Sequence, residues 1–268
     1  MKYSQAGNGC QPRLRSAVDK LRAHASRLLW PATCVLCKQA GELARDLCQP
    51  CEADLPANSS ACELCAEPLP SSAAALLCGA CLRHPPPFAA SYAPFRYAYP
   101  LDHLIRGLKF RGDLACGRVL GELFARRLLD ERAGALPELI VPVPLAPRRY
   151  RERGYNQAAE LALSMSRLTG VPISTDAVVR RRETLEQTAL DRKDRRRNVR
   201  GAFAIAARMS ARHVAILDDV ITTGSTAREL AKVLLRAGAA RVEAWAIAKA
   251  GHHLNTYSSA IPMKTAMP

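Results

Sequence analysis

The run Val214-Ala-Ile-Leu-Asp218-Asp219-Val-Ile-Thr222-Thr223-Gly224-Ser225-Thr226 sets two carboxylates behind four apolar residues and ahead of a hydroxyl-rich turn. The apolar residues read as a buried strand, and the segment from Ser225 to Ala237, closed by Gly238, reads as a helix. In an open parallel sheet, ligands bind where such a strand end leads into a helix. Gly224 permits an unusual backbone angle, and the hydroxyls and free N–H groups of the helix start can surround a phosphate dianion. Asp218 and Asp219 repel phosphate but accept hydrogen bonds from the two hydroxyls of a neighbouring sugar. Together they suit a ribose 5-phosphate. The competing use is a plain strand-end acidic pair followed by a Ser/Thr helix cap. The loop is not of the Walker type, because no Gly-Lys-Ser/Thr follows.

The same run resembles the phosphoribosyl-diphosphate (PRPP) signature of type I phosphoribosyltransferases, with every position filled. That resemblance implies a second cradle, for diphosphate, after the first core strand. Here the place reads Val141-Pro142-Val143-Pro144-Leu145, followed by Arg148, Arg149, Arg151 and Arg153. Pro142, Val143, Pro144 and Leu145 would form the turn, and Arg151 and Arg153 would grip phosphate oxygens with their forked guanidinium groups. Alone, the stretch is equally a proline-rich strand exit beside a solvated basic helix.

Three further motifs narrow the resemblance to the ComF family of competence-associated phosphoribosyltransferases. They are Leu108-Lys109-Phe110-Arg111-Gly112-Asp113, then Arg151-Glu-Arg153-Gly154-Tyr155-Asn156-Gln157, then Gln187-Thr188 with Leu190, Arg192, Arg195, Asn198 and Val199. The likeness spans about residues 31–250. It implies an α/β fold of the type I phosphoribosyltransferase kind, a mostly parallel sheet with helices on both faces and a small hood. It also implies a lid over the site at 180–200, where nine basic and four acidic residues lie. Arg192, Arg195 and Asn198 are the lid residues on the family pattern. PRPP with Mg²⁺ is the implied ligand, the acceptor is unnamed, and single-stranded DNA or a DNA-uptake helicase are implied partners.

Eight of the ten cysteines form four Cys-x-x-Cys pairs: Cys34/Cys37, Cys48/Cys51, Cys62/Cys65 and Cys78/Cys81. Each such turn puts two thiolates on one ion, and two turns complete a tetrahedral site, so two structural Zn²⁺ are expected. Consecutive grouping is the simplest, while a crossed grouping, disulfides, redox pairs or an iron–sulfur cluster stay open. Cys10 and Cys116 stand alone. A closed tetrathiolate has no open coordination position, which points to structure and not catalysis.

These groups must be carried by elements, and the 268 residues, 49% of them hydrophobic, suffice for a full core and a smaller module. A basic extension at 1–30, with apolar residues at the spacing of one amphipathic helix, precedes a double zinc ribbon at 31–84, which the stiff His84-Pro85-Pro86-Pro87 ends. A phosphoribosyltransferase domain at 85–250 and a disordered tail at 251–268 complete the layout. Helices are expected at 101–110, 114–130 and 155–169, and strands at 139–143, 213–217 and 241–248. Residues 88–113 would form the hood, where Tyr92, Phe95, Tyr97 and Tyr99 alternate as one face of a strand, or as stacking groups for a flat base.

The charge of +15 is unevenly spread. Segment 85–250 has 29 basic against 17 acidic residues, a balance of +12, while 31–84 has three against six and no aromatic residue. The larger domain is thus the one suited to a polyphosphate or a nucleic acid. No apolar run of membrane-spanning length and no signal-peptide pattern occur, so a cytoplasmic chain without membrane insertion is expected.

Overall fold

A computed structural model describes residues 32–41, 45–70, 76–132, 134–182 and 199–251. The chain divides into two compact units, 1–53 and 54–268, so the second cysteine tetrad shares a unit with the sheet. The expected extension at 1–30, the lid residues Arg192, Arg195 and Asn198, and the tail beyond Gly251 lie outside the described residues.

In the first unit a tight turn at Cys34 is followed by a short helix α1 (Gln49–Ala53). The Cys34 N–H donates to Gln39 O at 2.8 Å, and Lys38 takes a positive φ of 65° to close the turn. The same turn recurs in the second unit, where the Cys62 N–H donates to Glu67 O at 2.9 Å and Ala66 has φ 57°, ahead of α2 (Gly79–Arg83).

The sheet of the second unit is parallel throughout. An edge made of β1 (Ala90–Tyr92) and β2 (Phe95–Arg96) pairs with β7 (Arg241–Lys249). That strand pairs with β6 (His213–Ile221), which pairs in turn with β3 (Leu139–Pro142). Helices α3 (Leu101–Phe110), α4 (Leu114–Glu131) and α6 (Gln157–Thr169) pack together, with α4 and α6 on one face of the sheet. Asp113 starts α4 by accepting from the N–H groups of Ala115 and Cys116, and Gly170 ends α6 at φ 73°. The short α5 (Pro147–Arg153) leads out of β3. Helix α7 (Ser225–Arg236) covers the opposite face, its Leu230 and Leu234 in one core cluster with Val214, Ile216, Val242 and Ala244. A separate antiparallel pair, β4 (Val178–Arg180) and β5 (Phe203–Ile205), brackets the expected lid.

The mostly parallel sheet with helices on both faces is as expected, with a strand-to-helix loop at its carboxyl end and paired cysteine turns before it. Two details differ from expectation. Strand β6 does not stop at Leu217 but runs on to Ile221, pairing Asp218 with Ala246 and Ile221 with Lys249, because β7 is equally long. On its other side β3 ends at Pro142, opposite Leu217, so the acidic pair is held by one ladder and open to a crevice beside it. Residues 90–96, expected in a hood outside the sheet, are its edge. The half-buried Tyr92 packs edge-on against Phe124 at 5.2 Å and Phe95 is fully buried, so both rings are taken up by packing and not by a stacking platform.

Candidate functional site

The loop after β6 is shaped by Gly224, which has φ 70° and caps α7. A Cβ there would meet only Ile221 at 3.9 Å, so the backbone angle and not space calls for glycine. The Thr223 and Ser225 hydroxyls lie 2.7 Å apart, and the Ser225 N–H donates to Thr223 Oγ1 at 3.4 Å. From below, the Lys249 ammonium donates to the Thr222 carbonyl at 2.8 Å. Thr222 and Thr226 line a cavity of about 250 Å³ together with Asp218 and Asp219.

Helix α3 delivers Lys109 to this cavity, where its ammonium forms an ion pair with the buried Asp219 carboxylate. Burial alone would push both aspartates up. Asp219 is nonetheless held below the usual carboxylate range by the Lys109 charge. Among the described residues Asp218 has no such partner in contact, and burial followed by the adjacent Asp219 charge pushes it well up. Burial would likewise lower Lys109, but Asp219 and Asp218 raise it. The pair thus carries one firm negative charge, one carboxyl poised to hold a proton, and one cation.

Across the cavity the chain leaves β3 through Val143 and Leu145, both of which line it, and enters α5. Of the arginines on α5, Arg149 and Arg153 face the cavity, and the Arg153 guanidinium lies 5.4 Å over the Phe110 ring. Arg151, expected to grip diphosphate, is exposed and does not line it. Residues 149 and 153 are one helical turn apart and 151 points away from their face. Arg180 at the end of β4 lines the cavity too, and Tyr97 completes the wall. Burial and the charge of Arg149 lower Arg180 from its ordinary value, against an opposing pull from Asp218.

The motif around Gly154 is mostly scaffold. Gly154 ends α5 at φ 78°, and the Tyr155 hydroxyl donates to the Leu108 carbonyl, tying α6 to the motif that carries Lys109. Asn156 caps α6 by accepting from the Ala158 N–H at 3.0 Å, and its amide donates to Val143 O at 3.0 Å. It therefore locks the turn after β3 to the helix. Gln157 is buried at the cavity wall, with a side-chain oxygen that no donor among the described residues reaches. Arg111 instead turns to His103, its guanidinium 3.2 Å from the ring Nε2, and is exposed outside the cavity.

The cysteines gather in consecutive groups: Cys34, Cys37, Cys48 and Cys51 in one, Cys62, Cys65, Cys78 and Cys81 in the other, with the sulfurs of each within 4.8 Å of one another. Four thiol sulfurs at that separation are the donor set of a tetrahedral Zn²⁺ site, and the crossed grouping does not occur. In the first group the Cys34 thiol is lowered to about 6: burial opposes this, but hydrogen bonds from the Cys37 and Cys48 backbone outweigh it. Burial pushes Cys81 up to about 12. Neighbouring thiols that cannot all ionise unaided are what a dication would resolve.

Against known proteins, residues 25–82 match the family model described as a double zinc ribbon domain. DNA utilization protein YhgH of Escherichia coli K12 is 36% identical over 223 residues, which is 82% of this chain and 97% of that protein. Competence protein F of Haemophilus influenzae is 37% identical over 179 residues, 65% of this chain and 78% of its own length. Among solved structures, an HGPRT-ase from Leishmania tarentolae in complex with GMP overlaps 51% of this chain and 65% of its own, at 16% identity and a TM-score of 0.26. That overlap is too partial to add to the strand order. Identity above one third along nearly the whole of YhgH and most of competence protein F, together with the double zinc ribbon, shows that the chain belongs to the ComF family.

Proposed function

We propose that this protein binds PRPP with Mg²⁺ and transfers its phosphoribosyl group to an acceptor, releasing diphosphate, in the handling of DNA taken up by the cell. The observation that carries the reading is the single cavity in which the Asp218–Asp219 pair, the Thr222–Thr226 loop and the cations Lys109, Arg149, Arg153 and Arg180 meet. At about 250 Å³ it lies near the small end of ligand pockets. In this reading Thr222, Thr223, Gly224, Ser225 and Thr226 hold the 5-phosphate, the carboxylates hold the ribose hydroxyls, and Val143 to Leu145 with Arg149 and Arg153 face the diphosphate. The acceptor's lone pair forms the new bond at C1 as the C1–O bond to diphosphate breaks, and the electron pair leaves on that oxygen. Positive charge building on the ring is matched by Asp218 and Asp219, and the charge gathering on the leaving group by the guanidinium groups. Mg²⁺ bound with the diphosphate supplies further positive charge there. No side-chain nucleophile is needed.

Two Zn²⁺ complete the reading, one per cysteine tetrad, with a structural role. Thiolate ligands of this kind suit a reducing, cytoplasmic setting. Among the described residues no helix is long and apolar enough to cross a membrane.

The test is a screen of nucleobases and amines for PRPP-dependent diphosphate release. Release by wild type that Asp219→Asn removes supports transfer, whereas no release with any acceptor, despite saturable PRPP binding, confines the function to binding. That second reading, a PRPP-responsive factor that binds single-stranded DNA, is favoured by the +12 balance of segment 85–250 and by the names of the two relatives. It predicts single-strand affinity falling steeply with salt in filter binding.

A further inference from the structure

Lys249, the last residue of β7, is only 2% exposed, yet it carries an ammonium group. Such a group is tolerated inside a protein only when its three protons are all taken. Here there are three acceptors: Thr222 O at 2.8 Å, Ala250 O at 2.7 Å and the Glu67 carboxylate at 2.7 Å. The first belongs to the phosphate loop, and the third to the turn of the second cysteine tetrad. Glu67 is part of that turn in its backbone as well, since its carbonyl accepts the Cys62 N–H.

Other bonds fasten the same turn to the sheet. Asn58 donates to both Ala66 O and Ala93 O at 3.0 Å, and the Ser91 hydroxyl donates to Leu64 O at 2.8 Å. Between the tetrad and the loop lies a cleft of about 50 Å³, with Cys65, Cys78 and Cys81 among its walls on one side and Thr222, Thr223 and Gly224 on the other. The phosphate loop thus rests on the ribbon.

The consequence follows from the planarity of the peptide. In a trans peptide the carbonyl and the next N–H point in opposite directions. By taking the Thr222 carbonyl toward the ribbon, Lys249 turns the Thr223 N–H away from it. A loop that lost this hold could rotate and offer a carbonyl oxygen to the phosphate in place of a donor. The hold depends on Glu67, whose charge keeps a buried ammonium in place, and Glu67 depends on a turn whose four thiols need a metal to stay together.

We propose that Glu67 and Lys249 are positioning residues through which the metal-loaded second ribbon sets the shape of the 5-phosphate loop, so that Zn²⁺ in the Cys62, Cys65, Cys78 and Cys81 tetrad and a 5-phosphorylated sugar strengthen each other's binding. The inference rests on the reading that the cavity takes PRPP. Because coupling between sites is reciprocal, it can be read from either ligand.

The experiment uses the full chain loaded with two Zn²⁺. Calorimetry with PRPP and Mg²⁺ comes first, since wild type that does not bind refutes the function reading itself. Given binding, release of zinc to a chromogenic chelator is followed with and without saturating ribose 5-phosphate. One of the two ions should leave about tenfold more slowly with the sugar phosphate present, and the other at an unchanged rate. Glu67→Gln should abolish that protection. With both zincs retained, it should weaken ribose 5-phosphate about tenfold while Mg²⁺-diphosphate alone changes less than about twofold. The contrast separates a loop effect from general loosening. Two unprotected zincs in wild type overturn the inference and leave PRPP binding intact, and equal loss of both ligands in Glu67→Gln overturns it too. The wild-type zinc measurement decides even if the variant fails to fold.

Discussion

Replacing Lys109 by Met removes one charge from a buried pair while keeping the length and apolar stem of the side chain. Asp219 is 4% exposed, so its carboxylate would lose the cation that offsets its burial and would still face Asp218. Breaking one partner of a buried pair typically costs about 3–5 kcal/mol. The pH dependence identifies the cause. In wild type the Asp219 value lies below the ordinary carboxylate value, so its contribution to stability is fully present above that ordinary value and is lost only as pH falls through the lowered one. It is therefore constant between pH 5.5 and 8. In Lys109→Met, Asp219 should rise above the ordinary value, as Asp218 already does in wild type, and stability then falls as pH climbs through that range.

One extra proton held in the folded state is worth about 1.4 kcal/mol per pH unit, which over ~2.5 units caps the effect at ~3.5 kcal/mol. We expect the variant to lose about 3–5 kcal/mol at pH 8 and about 1–2 kcal/mol less than that at pH 5.5. Urea unfolding of zinc-loaded, ligand-free protein at both pH values, with wild type in parallel to cancel the thiolate sites, measures it. Equal losses at the two pH values would refute the electrostatic account and reduce Lys109 to a packing residue.

Three other outcomes are expected. Asn156→Ala removes the α6 cap and the bond to Val143 O, worth about 1 kcal/mol each, so urea unfolding should show a loss of about 2 kcal/mol and PRPP affinity should fall with it. Gly224→Ala forces a side chain into the left-handed region, and thermal unfolding should register about 1–2 kcal/mol together with weaker PRPP binding in calorimetry. Metal analysis of purified protein should find two zincs per chain, and Cys62→Ser with Cys65→Ser should leave one.

Much of the frame was legible because it is written locally. The Asp113 cap and the stop at Gly170 place α4 and α6 within about two residues of expectation, and the apolar run before Asp218 places the start of β6. The cysteine spacing likewise yields the grouping that the sulfurs adopt. What escaped reading is what depends on distant pairing. In the sequence Lys109 stands out only as part of a motif, and nothing near it points to Asp219, which α3 brings alongside. Lys249 resembles an ordinary exposed strand end, and its burial arises from Glu67, far away in the ribbon. The choice of Arg151 over Arg149 is different, since helical phase alone separates them once α5 is placed. The end of β6 lies beyond the apolar run because strand length is set by the partner strand, here β7.

The measurement that bears most directly on the central claim is a calorimetric titration of folded, two-zinc protein with PRPP and Mg²⁺, repeated with Asp219→Asn. Wild type should give a saturable, one-site isotherm that the variant lacks at the same concentrations. A flat titration for wild type, or equal binding by the two proteins, would contradict the assignment of the Asp218–Asp219 pair and the Thr222–Thr226 loop as a PRPP site.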